Sequence, residues 1–135
     1  LVGSEMCIRD RTLLMLADQV KWMNDNGGLD GMVARTSANA EALYGWADAH
    51  ELATPFVQEP AQRSLVVGTI DFDERVDAAQ LAKALRENGI LDTEPYRKLG
   101  RNQLRIGMFP AIDSQDVTTL TKAIDWLLAQ GVGQQ

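Results

Sequence analysis

The chain has 135 residues, 45% hydrophobic and 24% charged, with a formal net charge of -6, which is room for one modest domain of ordinary globular composition. An acidic balance argues against a nucleic-acid surface, which needs clustered Lys and Arg. No apolar run reaches membrane-spanning length, and the first residues lack the basic and long apolar regions of an export signal.

Residues 1–10, Leu1-Val2-Gly3-Ser4-Glu5-Met6-Cys7-Ile8-Arg9-Asp10, read like a translated sequencing adapter, since the codons ATG TGT ATA AGA GAC encode Met6 to Asp10. They are set apart as a non-native tail. With them goes the only cysteine, Cys7, and any disulfide or thiol chemistry. The expectation is a reading frame joined at Arg11 or Thr12, with a natural protein that extends further upstream.

From residue 12 to 26, Leu13, Leu14, Leu16, Ala17, Val20 and Met23 recur at helical spacing. Gly27-Gly28 then breaks the chain. A long helix is expected over residues 29–53, with Met32, Val33, Ala40, Leu43, Tyr44 and Ala47 on one stripe. Residues 54–63 hold Pro55 and Pro60 and read as a connection. Residues 64–72 are rich in β-branched side chains and read as a strand. A short helix follows, with Asp77 as N-cap, Gln80 as its capping-box partner and Val76 and Leu81 at the staple positions. Gly89 suits its left-handed C′ position, with Leu85 and Ile90 set to touch across it. Residues 89–94 offer a weak strand and residues 103–109 a clear one, ended by Pro110. The last helix starts at Asp113 and carries Val117, Leu120, Ile124, Leu127 and Leu128. It fades at Gly131, with a frayed end over residues 133–135. The pattern is α+β: a small, mainly antiparallel sheet with helices on one face.

Most of the chain carries no chemistry by pattern. Gly27-Gly28 lacks the further glycines and lysine of a phosphate loop and reads as a hinge. His50 is the lone histidine, with no metal-ligand set beside it, and reads as a surface residue near a helix end. The exception is Tyr96-Arg97-Lys98-Leu99-Gly100-Arg101-Asn102-Gln103-Leu104-Arg105-Ile106-Gly107-Met108, where four cations fall in nine residues. Alternation puts Leu104, Ile106 and Met108 on the core face and Gln103, Arg105 and Gly107 on the other. An arginine beside a glycine leaves room for a ligand, and its planar fork suits a carboxylate or phosphate. The segment is therefore either a solvated loop with an outward-facing strand arginine or a site for a small anionic metabolite.

The same segment, extended to residues 89–111, closely resembles the C-terminal region of phosphoserine aminotransferases of the actinobacterial-type branch. Val20-Lys21-Trp22-Met23-Asn24-Asp25-Asn26-Gly27-Gly28-Leu29, Leu43-Tyr44-Gly45-Trp46-Ala47 and Val67-Gly68-Thr69-Ile70-Asp71-Phe72 look like earlier blocks of those enzymes. The likeness runs from Thr12 to about Leu128. It implies the small C-terminal domain of a fold-type-I transferase dependent on pyridoxal 5′-phosphate (PLP), preceded by a long interdomain helix. The domain division it implies is a tail at 1–10, a remnant of the large PLP-binding domain at 11–27, and the connecting helix with the small domain at 28–135.

The implied reaction is amino transfer between L-glutamate and 3-phosphohydroxypyruvate, giving O-phospho-L-serine and 2-oxoglutarate in L-serine biosynthesis, by a cytoplasmic homodimer with no nucleic-acid or membrane partner. Phosphorylated precursors of the pyridoxine pathway stay open as further substrates. The resemblance places the cofactor lysine and an Asn-Thr pair upstream, so that this fragment is expected to be inactive alone and prone to aggregate. By position, Arg105 resembles the arginine that grips the substrate α-carboxylate and Arg97 one near the substrate phosphate. The better-studied branch has His-Arg where Tyr96-Arg97 stands, at a different spacing, so the phosphate contact is open among Arg97, Lys98 and Arg101. The alternatives are another class-V aminotransferase and a stand-alone anion-binding α+β module.

Overall fold

The computed structural model describes residues 4–96 and 98–133, with backbone alone for residues 4–9. The chain divides into two compact units, residues 1–34 and 35–135.

The first unit begins with α1 (Ser4–Asp25). The helix starts eight residues before the expected Thr12, so from Ser4 onward the adapter-like segment is continuous with it. Glu5, Met6 and Arg9 are good helix formers and oppose no such extension. Leu13, Leu14, Met15 and Leu16 are all exposed. A tight turn at Gly27 and Gly28, both at positive φ, starts α2 (Gly28–Ala49), which ends four residues before the expected Ala53.

In the second unit, α2 contributes Ala40, Leu43, Tyr44 and Ala47 to the core. The chain then enters β1 (Ala53–Pro55), inside what reads by sequence as helix end and connection. A single 3-10 turn (Pro60–Gln62) leads to β2 (Val67–Phe72). Next come α3 (Ala78–Glu87), β3 (Gln103–Gly107) and α4 (Ser114–Ala129). The sheet is antiparallel throughout, in the order β1-β2-β3. Its register pairs Gly68 with Ile106 and Ile70 with Leu104 on one face, and Val67 with Gly107, Thr69 with Arg105 and Asp71 with Gln103 on the other. The first set is buried together with Leu81 and Leu85 of α3 and Ile124 of α4. Thus the helices cover one face; on the other Arg105 is exposed, while Gln103 at its far end is buried at 1%.

Caps explain where α3 sits. Asp77 Oδ1 accepts from the backbone N–H groups of Ala79 (2.9 Å) and Gln80 (3.2 Å), as an N-cap should. The reciprocal half of the capping box differs. Gln80 Nε2 donates to the Asp77 carboxylate (3.1 Å), and the Asp77 N–H goes to the Gly133 carbonyl (2.6 Å). Gly133, expected to fray, is buried and bonded for that reason. At the other end Gly89 takes φ 84. Ile90 N–H reaches Leu85 O (3.0 Å) and Gly89 N–H reaches Arg86 O (3.1 Å), the two bonds of a Schellman motif.

The expected strand over residues 89–94 does not form. Asp92 stands at φ 62, outside the extended region, so the segment makes a single bond to the sheet edge, Arg105 N–H to Thr93 O at 3.0 Å. Asp113 begins α4, but its carboxylate does not cap it; it takes Arg35 Nη2 instead (2.5 Å).

Candidate functional site

Arg105 is placed by its neighbours in the strand. Leu104 and Ile106 are buried in the core, 0% and 3% exposed. Its own N–H is held by Thr93 and its cross-strand partner is Thr69. The side chain is thereby forced onto the open face, where it is exposed. Among the described residues of the second unit, Arg35, Arg63, Arg75, Arg86 and Arg101 each hold a carboxylate. The Arg105 guanidinium holds none, and an unneutralised fork is what a carboxylate ligand requires.

Two depressions meet at this arginine. One, of about 770 Å³, is mainly apolar and runs past Ile90, Leu91, Phe109 and Leu120. The other, of about 860 Å³, is lined by Arg86, Asp92, Glu94, Tyr96, Lys98 and Arg105 with Pro95. Small anions belong in the second on chemical grounds. The expected room above Gly107 is partly taken, because a Cβ there would stand 3.2 Å from Phe109 Cε2.

The structure therefore brings Arg105 and Lys98 to one wall and puts Arg101 elsewhere. Arg101 pairs with Asp71 through Nε (3.3 Å) and a second, short bond from Nη2. Its guanidinium lies 4.9 Å from the centre of the Phe56 ring, within cation–π range. Asp71 holds the Arg101 charge on, raising its pKa, and also accepts from Gln103 Nε2 (2.7 Å). Arg97 lies outside the described residues.

Arg86 was not singled out by sequence. Its Nε donates to Glu94 Oε1 (2.6 Å), and its Nη2 donates to Glu94 Oε2 (3.0 Å) and Asp92 Oδ1 (2.9 Å). Glu94 first and Asp92 second raise its pKa further. The only signal in sequence is an arginine in a last helical turn followed, past the glycine, by two acids.

His50 serves the scaffold. Its Nδ1 accepts from Leu52 N–H (3.0 Å) and its Nε2 lies 3.4 Å from Asp125 Oδ1, which also accepts from Trp46 Nε1 (2.8 Å). It is only part-exposed rather than a free surface group. Among the described residues no group of three His, Cys, Asp or Glu could hold a metal ion, and no helix is long and apolar enough to cross a membrane.

The lysines do not make a seat for PLP, which needs an amine enclosed beside the cofactor ring. Lys21 pairs with Asp25 and Lys83 with Glu87, all four exposed. Lys98 and Lys122 are exposed as well.

No family model matches the chain. Named relatives do. It is 71% identical over 124 residues to the phosphoserine aminotransferase of Corynebacterium glutamicum, covering 92% of this chain and 33% of that protein. To the phosphoserine aminotransferase of Rhodococcus opacus it is 65% identical over 119 residues, covering 88% and 32%. The chain thus spans about a third of the length of the relatives it matches. Among solved structures, phosphoserine aminotransferase from Bacillus circulans subsp. alkalophilus superposes with a TM-score of 0.74 at 20% identity, over 82% of this chain and 30% of that one. The enzyme from Cytophaga hutchinsonii gives 0.67 at 18%, over 77% and 28%. A cystine C-S lyase gives 0.62 at 10%, so the fold does not by itself choose a reaction. Sequence is more specific: over about nine-tenths of its length the chain is similar to the C-terminal part of phosphoserine aminotransferases of actinobacterial type.

Proposed function

We propose that this chain is the substrate-gripping C-terminal part of a PLP-dependent phosphoserine aminotransferase, a cytoplasmic homodimer of L-serine biosynthesis. The reaction is reversible transfer of an amino group between L-glutamate and 3-phosphohydroxypyruvate, giving 2-oxoglutarate and O-phospho-L-serine. PLP, when bound, supplies the electron sink and carries the amino group. The four lysines of this chain are exposed, and this reading gives the cofactor's seat to the large domain of the parent enzyme.

The observation that carries the reading is the Arg105 guanidinium, fixed on the open sheet face with no carboxylate of its own among the described residues. Both substrates present a carboxylate next to the reacting carbon, and one fork holds it in the same orientation for each. Both also carry a second anion at the far end, a γ-carboxylate or a phosphate. Lys98, on the same wall, and Arg97, beside it in sequence, are the cations that meet it. Arg101 reaches it only by giving up Asp71.

The test is steady-state kinetics of the full-length enzyme. Arg105→Ala raises KM for glutamate and for the phosphorylated keto acid together, by roughly 30-fold or more, since truncating one partner of such a charge pair costs about 2–5 kcal/mol. Arg105→Lys, which keeps the charge and loses the fork, falls between. An unchanged KM for glutamate in Arg105→Ala overturns the assignment.

A further inference from the structure

The wall that carries Arg105 and Lys98 also carries two carboxylates, Asp92 and Glu94. An acidic pair there opposes an anionic substrate, unless something neutralises it. Arg86 stands between them. Its Nε and Nη2 take both oxygens of Glu94 (2.6 and 3.0 Å) while Nη2 also takes Asp92 (2.9 Å). The geometry is set from two sides: Arg86 lies in the last turn of α3, and the chain reverses at Gly89 and Asp92, both at positive φ, to bring the acids back over it.

We propose that Arg86 is a specificity-determining residue of this site: by binding Asp92 and Glu94 it withdraws two carboxylates from the basin where Arg105 and Lys98 meet an anionic substrate. Among the described residues of that wall, three cations face two anions. Without Arg86 the balance is nil. The difference falls most heavily on the substrate of higher charge. A phosphate monoester carries about -1.5 to -2 at neutral pH, against a single charge on the γ-carboxylate of glutamate. Arg86 therefore favours the phosphorylated partner over the merely dicarboxylic one, without touching either.

This inference rests on the reading of Arg105 as the carboxylate grip, and kinetics of the full-length enzyme separate the two. Arg86→Met is expected to raise KM about tenfold for the phosphorylated keto acid and about threefold for glutamate at low salt, with kcat unchanged, and the gap narrows as ionic strength rises. Removing the two acids as well, in Arg86→Met/Asp92→Asn/Glu94→Gln, returns both KM values to within about threefold of the parent. A purely structural role predicts the opposite: a triple variant at least as impaired as the single one, and no salt dependence. Glu94→Gln alone gives a second readout should Arg86→Met fail to fold. It lowers KM for the phosphorylated substrate if the inference holds, and a raised KM overturns it. Arg105→Ala is run in parallel. If it leaves KM for glutamate unchanged, the site itself is misassigned; if it raises KM while Arg86→Met does not, only the role of Arg86 falls.

Discussion

Asp71 in β2 holds Arg101, thirty residues further on, and the same carboxylate also accepts from Gln103. One acid thus fixes the stem of the cationic loop to the sheet. Asp71 is the less exposed partner, at 22% against 48% for Arg101. Asp71→Asn is expected to lower the denaturant midpoint only slightly, as for an exposed pair. KM for both substrates should stay within a factor of two. A fall in KM for the phosphorylated substrate would show instead that freed Arg101 reaches it.

Asp77 gives a pH dependence whose sign can be worked out. The Gln80 N–H, the Gln80 side chain and the Ala79 N–H hold its carboxyl below the usual carboxylate range. Its folded pKa lies under its unfolded one, so the charged form stabilises the fold. That contribution is complete above the unfolded value of about 4 and is lost as pH falls through the lower, folded value. Asp77→Asn, itself a good N-cap, should keep stability near neutral pH and flatten this part of the acid limb. Asp77→Ala should cost about 1 kcal/mol at neutral pH. Urea midpoints measured from pH 7 to pH 3 check both.

What could be read in advance followed from local rules. The alternation of Leu104, Ile106 and Met108 put Arg105 on the open face, and the glycine after Leu85 marked the end of α3, because both depend on neighbours in sequence. Failures came where distant residues decide. β1 is three residues ending in proline, and only its pairing with Asp71 and Phe72 makes it a strand. Residues 89–94 carry Ile90 and Leu91 and look extended, yet the turn at Asp92 answers to Arg86. Arg101 and Arg105 are alike as letters. They differ because the β2–β3 register sets Asp71 opposite Gln103, within reach of one and not the other.

Asn102 ties that same loop to the start of α3. Its Nδ2 donates to the carbonyls of Phe72 (3.2 Å), Asp73 (3.2 Å) and Val76 (2.6 Å), and its Oδ1 accepts from Ala78 N–H (2.9 Å). Asn102→Ala strands these groups and should cost roughly 1–3 kcal/mol. Asn102→Asp keeps the shape and the acceptor but points negative charge at three carbonyls. Its folded pKa should therefore be raised, so this variant should regain stability on acidification, where the Ala variant should not. Parallel denaturant series at pH 7 and pH 4.5 distinguish the two.

Gly68 packs against Leu43 of α2. A Cβ built there would overlap Leu43 Cδ2 and stand 3.3 Å from Met108 Cε, and both side chains are fully buried. Leu43 must shift within the packed core, so Gly68→Ala should cost about 1–3 kcal/mol by overpacking, and Gly68→Val more. Leu43→Ala alone opens a cavity and should cost about 2–5 kcal/mol. The double variant Gly68→Ala/Leu43→Ala should then be less destabilised than the two single losses added together, because each change fills what the other leaves. A double-mutant cycle in urea measures that coupling. Additive losses would mean that α2 shifts away as a body. Thr69, the next residue, pairs with Arg105, and such a shift would carry it along, so a rise in KM accompanying additivity would locate the movement at the substrate face.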